Sequence, residues 1–165
     1  CGATRAGVYE KDITLDVTKK IRDYLARAGV QVIMTRETDQ TISLRDRVEI
    51  ANRADPDAFI SIHVNAAEST SARGIETYWY NENSIDLAKT VQGSFAAAVN
   101  SPNRGIIKSM FYVIHHTRKP SVLVEIGFIS NDQERAELIS PAKQEIIAHS
   151  IAQGILSYLN LESKR

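Results

Sequence analysis

The chain has 165 residues, enough for one domain with a substantial core and too few for two ordinary domains. Hydrophobic residues make up 43% and charged residues 24%, as in folded globular proteins, and a single cysteine excludes an internal disulfide framework. Twenty basic residues balance twenty acidic ones, so composition gives no support for nucleic-acid binding, and no run of 18 apolar residues exists to span a membrane.

The opening segment, CGATRAGVYEKD, lacks the charged start and apolar stretch of a secretory signal. Cys1 followed by Gly2 is compatible with the lipid-bearing start of a processed lipoprotein. A chain cut from a longer protein is the simpler interpretation, and we favour it.

The first half of the chain predicts helices alternating with buried strands. Apolar residues recur at helical spacing from about Lys11 to Ala28, and Gly29 is suited to end that helix. Ser43 can cap a second helix that reaches Arg53. Short apolar segments rich in β-branched and aromatic residues predict strands at 30–34 (VQVIM), 58–64 (AFISIHV) and 74–80 (GIETYWY).

The second half continues the alternation. Helices are predicted at about Ser84–Val99, Asp132–Leu138 and from Ser140-Pro141 to about Leu159, strands at 110–114 (MFYVI) and 121–128 (SVLVEIGF), and a loop at 101–105 (SPNRG). This order indicates one α/β domain over residues 1–165, with a fold like that of phosphorylases or hydrolases. Its mostly parallel or mixed twisted central sheet has helices on both faces. Ligands in such sheets gather at the carboxyl ends of the strands.

Glu125 is the most unusual residue, because it lies inside the apolar segment SVLVEIGF. Burying an ionised carboxylate costs free energy unless the group is paired, metal-bound or protonated. Glu125 is therefore a candidate general base. The alternatives are a glutamate on an edge strand or sheet face pointing at solvent, or one paired with an arginine such as Arg118.

His63 and Glu10 are weaker candidates when each is taken alone. His63 ends a predicted buried strand, where an α/β sheet places its active site, and imidazole is a common zinc ligand. A lone histidine is more often a structural residue. Glu10 begins the first helix, where the helix dipole alone explains an acid.

Other histidines offer little as a metal site. His115 and His116 are adjacent at the end of a predicted strand, so their side chains are expected on opposite faces. The sequence contains no Gly-rich phosphate loop and no GxSxG motif, which leaves phosphoryl transfer and serine hydrolase chemistry unsupported.

Several segments in collinear order resemble the zinc-dependent N-acetylmuramoyl-L-alanine amidases of bacterial cell walls. They are GVYEKD, TR, LRDR with AN, SIHVNA, GIETYWY and LVEIGFISN. The resemblance covers nearly the whole chain. It implies a Zn²⁺-dependent hydrolase of peptidoglycan that cleaves the amide between N-acetylmuramic acid and L-alanine.

The resemblance assigns roles to the residues singled out above. It implies that Glu10 and His63 are zinc ligands and that Glu125 is the catalytic glutamate acting on the metal-bound water. Asn65 is a candidate for orienting substrate or loop. The family's remaining histidine lies in a turn after a first strand, and both would precede Gly2, so we expect this chain to lack them. His115 or His116 is a weak candidate to replace that ligand.

Two alternatives share the expected fold: a non-catalytic peptidoglycan-binding domain, and a zinc carboxypeptidase acting on stem peptides. Some family members carry an inserted helix that blocks the zinc cleft. The stretch from Tyr80 to Arg104 holds one ordinary amphipathic helix, so we expect no built-in inhibitory helix. The default expectation is a monomer. The resemblance implies a location in the cell envelope, periplasmic or extracellular.

Overall fold

A computed structural model describes the backbone of residues 2–162 and the side chains through Asn160; Cys1 and its possible modification lie outside the described residues. The helices are α1 (Glu10–Arg27), α2 (Leu44–Ala54), α3 (Ile85–Ala98), α4 (Tyr112–His116), α5 (Asp132–Leu138) and α6 (Pro141–Glu162). The strands are β1 (Thr4–Arg5), β2 (Val8–Tyr9), β3 (Phe59–Asn65), β4 (Ile75–Trp79), β5 (Asn103–Lys108) and β6 (Ser121–Phe128). None of the described helices combines the length and apolar character needed to cross a membrane.

A four-stranded mixed sheet forms the centre of the fold, with strand order β3-β6-β4-β5. Strand β6 runs parallel to β3 and antiparallel to β4, and β5 runs parallel to β4. The short strands β1 and β2 pair as a separate antiparallel hairpin just before α1. The predicted α/β class and mixed sheet are confirmed.

Side chains on β6 alternate between two cores, as the two-residue period of a strand requires. Val122, Val124 and Ile126 face the main core, which also receives the buried sides of α1, α3 and α6. Leu123 faces a smaller core built with Val48 of α2 and residues of α4. Glu125 shares the face of Leu123, beyond the part that this smaller core covers.

The predicted strand at residues 30–34 is wrong. These residues form no ladder, and β3 is an edge strand whose free side has no partner among the residues that the structure describes. Val30 and Val32 nevertheless pack against the main core. A buried apolar segment becomes a strand only when a neighbouring strand accepts its backbone hydrogen bonds.

The prediction for residues 101–114 is also wrong. Residues 103–108, expected in part to be a loop, form β5, because β4 offers a free edge to which they hydrogen-bond. Gly105 adopts a positive φ of 81° where the register between β4 and β5 shifts. The predicted strand 110–114 is instead a turn leading into α4, which buries the consecutive residues Val113 and Ile114. Tertiary pairing and packing override local propensity at both places.

Close packing of α3 against α6 depends on Gly154. A Cβ at this position would lie 2.8 Å from the Thr90 carbonyl oxygen and 2.8 Å from Val91 Cα. We expect Gly154→Ala to lower the free energy of unfolding by about 1–3 kcal/mol, because the α3 backbone must move away. Gly93→Ala is the matched control: nothing lies within 4 Å of its added Cβ, so helix propensity alone predicts a gain of roughly 0.5–1 kcal/mol. Urea unfolding of both variants measures these changes in the free energy of unfolding, which should have opposite signs.

Candidate metal and catalytic site

Glu10 lies at the start of α1, and its carboxylate is turned toward β3. Oε1 accepts the backbone N–H of Val64 at 3.1 Å and lies 3.1 Å from Nδ1 of His63. Oε2 accepts the N–H of Ala3 at 2.7 Å. Burial raises the pKa of Glu10, but the hydrogen bonds from His63, Ala3 and Val64 outweigh it, so the pKa lies below its usual value. Glu10 is thus held ionised.

The backbone before β1 closes over this carboxylate. A Cβ on Gly2 would collide with the Glu10 carboxylate, so a larger residue here would force that carboxylate to move. The N–H that Ala3 donates comes from the same segment. The carboxylate is therefore fixed from two sides, by the segment around Gly2 and by β3.

His63 is fixed in its orientation through its second ring nitrogen. Nε2 lies 3.0 Å from the Ser61 hydroxyl, two residues earlier on the same face of β3, while Nδ1 faces Glu10. Its side chain is 38% exposed, so the ring is open to a ligand. A hydrogen bond at one imidazole nitrogen that orients the other is typical of metal-binding histidines.

Glu125 lies directly beside His63, because the two residues are paired in the parallel register of β3 and β6. It is buried, at 9% exposure, and its Oε2 atom has no hydrogen-bond partner. Burial, with the charges of Glu10 and Glu76 adding to it, raises the pKa of Glu125 to about 7 despite the opposing effect of His63.

The alternatives for Glu125 are wrong. Strand β6 lies between β3 and β4 and is not an edge strand. Arg118 does not pair with Glu125; its backbone N–H and guanidinium contact Asn52. An unpaired, buried carboxyl group with one orphan oxygen is the arrangement expected of a functional acid or base.

Glu10 and His63 fit a zinc ion as two of its ligands. Ligand atoms about 2.1 Å from a tetrahedral zinc lie about 3.4 Å from one another, and the facing Oε1 and Nδ1 atoms are 3.1 Å apart. Among the described side chains, residues 2–160, no group of three histidine, cysteine or acidic side chains comes together as a metal cluster. A third protein ligand is therefore absent from the described part of the chain.

His115 and His116 lie elsewhere. They belong to α4 and not to a strand, and their rings pack against Tyr80 and Tyr112, at centroid distances of 4.4 and 4.2 Å. Neither ring contacts Glu10 or His63 among the contacts of the described residues.

A polar network next to Glu125 was missed by the sequence analysis. Glu76, only 1% exposed, lies directly opposite Glu125 across β4 and β6. It accepts hydrogen bonds from Asn65 Nδ2 (2.9 Å), the Tyr78 hydroxyl (2.5 Å) and Arg104 Nε (2.7 Å). Asn65 is therefore connected through Glu76 to the strand position next to Glu125. A glutamate within GIETYWY gives the same indication as Glu125, a charge inside a buried strand, and could have been found by that criterion.

The fold and site define an α/β domain with a candidate zinc centre at the carboxyl end of β3, and comparison with known proteins identifies its family. The Amidase_3 family, N-acetylmuramoyl-L-alanine amidase, matches residues 1–157. The chain belongs to this family.

Named relatives and solved structures agree with this assignment. The chain is 37% identical over 161 residues to the N-acetylmuramoyl-L-alanine amidase LytC of Bacillus subtilis (strain 168), covering 95% of this chain and 32% of LytC. Its structure resembles the catalytic domain of CwlV from Bacillus (Paenibacillus) polymyxa var. colistinus, with TM-score 0.90, 34% identity and coverage of 96% and 93%. AmiC2 of Nostoc punctiforme gives TM-score 0.93, 35% identity and coverage of 97% and 89%. The chain thus spans about a third of LytC but most of the chain in each of the two solved structures.

Proposed function

We propose that this chain hydrolyses the amide bond between the lactyl group of N-acetylmuramic acid and the L-alanine of the peptidoglycan stem peptide. Family membership supports the reaction class. The observation that carries the proposal is the pair formed by Glu10 and His63 beside a buried carboxyl, Glu125, that has an unpartnered oxygen. A domain that only bound peptidoglycan would have no need of such a group.

Glu10 Oε1 and His63 Nδ1 are the atoms that would hold Zn²⁺, and Ser61 would keep the imidazole oriented. When bound, zinc supplies a Lewis acid that polarises the scissile carbonyl and lowers the pKa of a water molecule. The ionised state of Glu10, maintained by its backbone hydrogen bonds, prepares it as a ligand.

Glu125 would act as general base and then as general acid. It would accept a proton from the attacking water and transfer that proton to the nitrogen of the departing L-alanine. A carboxyl whose pKa is near 7 in the metal-free protein can exchange protons in both directions at neutral pH. Asn65, held by Glu76, would orient the substrate or the loop that follows β3.

We further propose that an extended segment from upstream of Cys1 completes the domain and carries the third zinc ligand. The free edge of β3 borders a groove of about 1790 Å³ that reaches from Glu10 and His63 to residues 30–36, which belong to no helix or strand. An unpaired strand edge that borders an open groove is a template for an added strand. Such a strand would also give residues 30–34 the partner that they lack.

Metal content tests this part of the proposal. Elemental analysis should find substoichiometric zinc in the 165-residue chain and about one zinc per chain in the protein that includes its natural upstream sequence. Two ligands bind zinc weakly compared with three, which is the reason for the expected difference. His63→Ala and His116→Ala in the longer protein are the matched pair, and only the first should lose the metal.

The outcomes separate the candidate functions. Full zinc in the short chain, lost in His116→Ala or His115→Ala, would show that α4 supplies a ligand and would contradict the missing-strand proposal. No zinc in either protein would favour a non-catalytic wall-binding domain. Mass spectrometry of digested peptidoglycan distinguishes the two enzymes, since an amidase releases whole stem peptides and a carboxypeptidase releases shortened ones.

We propose that the protein acts in the cell envelope, periplasmic or extracellular, because peptidoglycan lies there, and that it acts as a monomer. Between β4 and β5 the chain forms a short 3₁₀ turn and α3, whose Leu87, Val91 and Phe95 are buried in the main core. A helix packed in this way is not free to cover the site. An activator protein is therefore expected to leave the turnover of the isolated, complete domain unchanged.

A further inference from the structure

We propose that Arg104 determines substrate specificity by binding a free carboxylate on the stem peptide, one residue beyond the L-alanine of the scissile amide. This inference rests on the proposed amidase function. It predicts that the protein distinguishes stem peptides whose second residue carries a free α-carboxylate from those in which this group is amidated.

Site residues from four strands form a row across one face of the sheet. His63 of β3 is paired with Glu125 of β6, and Glu125 is paired with Glu76 of β4. Arg104 of β5 continues the row through its hydrogen bond to Glu76. Paired residues on neighbouring strands point to the same face of a sheet, so Glu76 shares the face that carries Glu125. The hydrogen bond from Arg104 Nε to Glu76 brings the guanidinium to that face.

The Arg104 guanidinium is fixed by Glu76, but only its Nε forms a hydrogen bond to a described residue. Nε is bound to Glu76 Oε2 at 2.7 Å, and the guanidinium carbon lies 5.2 Å from the centroid of the Phe128 ring. The two terminal nitrogens make no hydrogen bond to any described residue, and the side chain is 45% exposed, whereas that of Glu76 is 2% exposed. A guanidinium anchored through Nε keeps its outer nitrogens free for a carboxylate, which they can bind in bidentate geometry.

Distance along the row matches the spacing within the substrate. Cross-strand neighbours such as Glu125 and Glu76 have Cβ atoms about 5 Å apart, so Arg104 lies within roughly 10 Å of the catalytic carboxyl. In the stem peptide, L-alanine is followed by D-glutamate joined through its side-chain carboxyl, which leaves the α-carboxyl free or amidated. That group lies about two extended residue lengths, roughly 7 Å, from the scissile nitrogen.

The charge pattern of the site favours this assignment. Glu10, Glu125 and Glu76 repel an anionic substrate group, and Arg104 is the cation joined to this carboxylate row by a hydrogen bond. Lys108, the next basic residue on β5, is instead paired with Glu82 at 2.9 Å and lies over Trp79 and Tyr80. An incoming carboxylate would therefore be directed to the free side of Arg104.

The test compares N-acetylmuramoyl-L-Ala-D-Glu with N-acetylmuramoyl-L-Ala-D-isoglutamine, which differ only in this carboxyl group. With the zinc-loaded, complete protein we expect kcat/KM to favour the acid at least tenfold, mostly through KM. Arg104→Gln should remove the preference, and Arg104→Lys should keep part of it. The ratio for the two substrates within one variant is independent of the folded fraction, so lost stability cannot mimic the effect.

Arg45→Gln is the matched control, because Arg45 also holds a glutamate through Nε, at 2.8 Å, but on the exposed side of α2. It should leave the acid-to-amide ratio unchanged. Equal kcat/KM for both substrates in the wild type, or an undiminished preference in Arg104→Gln, would overturn the proposal.

A binding measurement keeps this proposal separable from the proposed function. NMR titration with the stem dipeptides L-Ala-D-Glu and L-Ala-D-isoglutamine needs no turnover. Tighter binding of the acid, lost in Arg104→Gln, would support the role of Arg104 even if neither muramoyl substrate were cleaved. That outcome would contradict the proposed amidase activity but not the role of Arg104. Equal binding together with equal kcat/KM would contradict the role of Arg104 and leave the amidase assignment intact.

Discussion

Glu125→Gln is expected to lower amide hydrolysis by roughly 10²–10⁴-fold, the contribution typical of a general acid–base group. Glutamine preserves the volume and shape of the side chain, but its amide can neither accept the proton of water nor deliver it to L-alanine. Zinc content should not change, because Glu10 and His63 remain. The measurement uses the protein that includes its natural upstream sequence and follows the release of stem peptides from purified peptidoglycan, with metal content determined on the same preparation.

Glu49→Gln provides a control for the loss of one carboxylate. Glu49 pairs with Arg45 on the exposed surface of α2, away from the row of site residues, and its replacement should leave turnover unaffected. If Glu125→Gln retained more than a tenth of wild-type turnover, Glu125 would not be the base. Glu76, the carboxylate opposite it on β4, would then be the next residue to replace.

The three residues to which the resemblance assigns zinc and catalytic roles differ in how far the sequence alone indicates a function for them. The sequence indicates Glu125 because burying an ionised carboxylate within an otherwise mostly apolar strand costs free energy. In the structure Glu125 lies in the eight-residue strand β6, where it is buried and its Oε2 has no hydrogen-bond partner. Glu10 and His63 are ordinary when taken singly. Only the fold reveals that the start of α1 lies against the end of β3, 53 residues further along the chain.

What the sequence did not predict depends on contacts between distant residues. Residues 103–108 become a strand because β4 has a free edge, and residues 30–34 do not, because no described strand lies beside them. The Glu76 network has the same origin, since it needs the register between β4, β5 and β6. Hydrophobic periodicity reports which residues are buried, but not which strand lies next to which.

Glu125→Gln is also expected to stabilise the metal-free protein at neutral and alkaline pH. Burial raises the pKa of Glu125 from its ordinary value of 4.5 to about 7 in the folded state. Well below pH 4.5 the group is protonated in both the folded and the unfolded state, and it adds no pH dependence to stability. As the pH rises toward 7, the unfolded chain ionises first, so the folded state loses about 3 kcal/mol in total. Glutamine does not titrate, and the variant should escape this loss.

Glu134→Gln is the matched comparison, because Glu134 is also buried but both of its carboxylate oxygens have hydrogen-bond partners. Its two carboxylate oxygens accept the backbone N–H groups of Gly74 at 2.8 Å and Phe128 at 2.7 Å, which join the start of β4 to the end of β6. An amide offers one oxygen and places an NH₂ donor against the other N–H, so we expect a loss of about 1–3 kcal/mol.

Urea unfolding of the two variants and the wild type, in the presence of a chelator at pH 4.5 and pH 8, measures both effects. At pH 8 the two substitutions should change stability in opposite directions, and the gain from Glu125→Gln should vanish at pH 4.5. The same carboxyl that would carry the reaction therefore reduces the stability of the fold, as expected where a charge is kept buried without a partner. Destabilisation by Glu125→Gln at pH 8 would mean instead that the Glu125 carboxylate has a stabilising partner in solution, and would remove the physical basis for assigning it as a poised base.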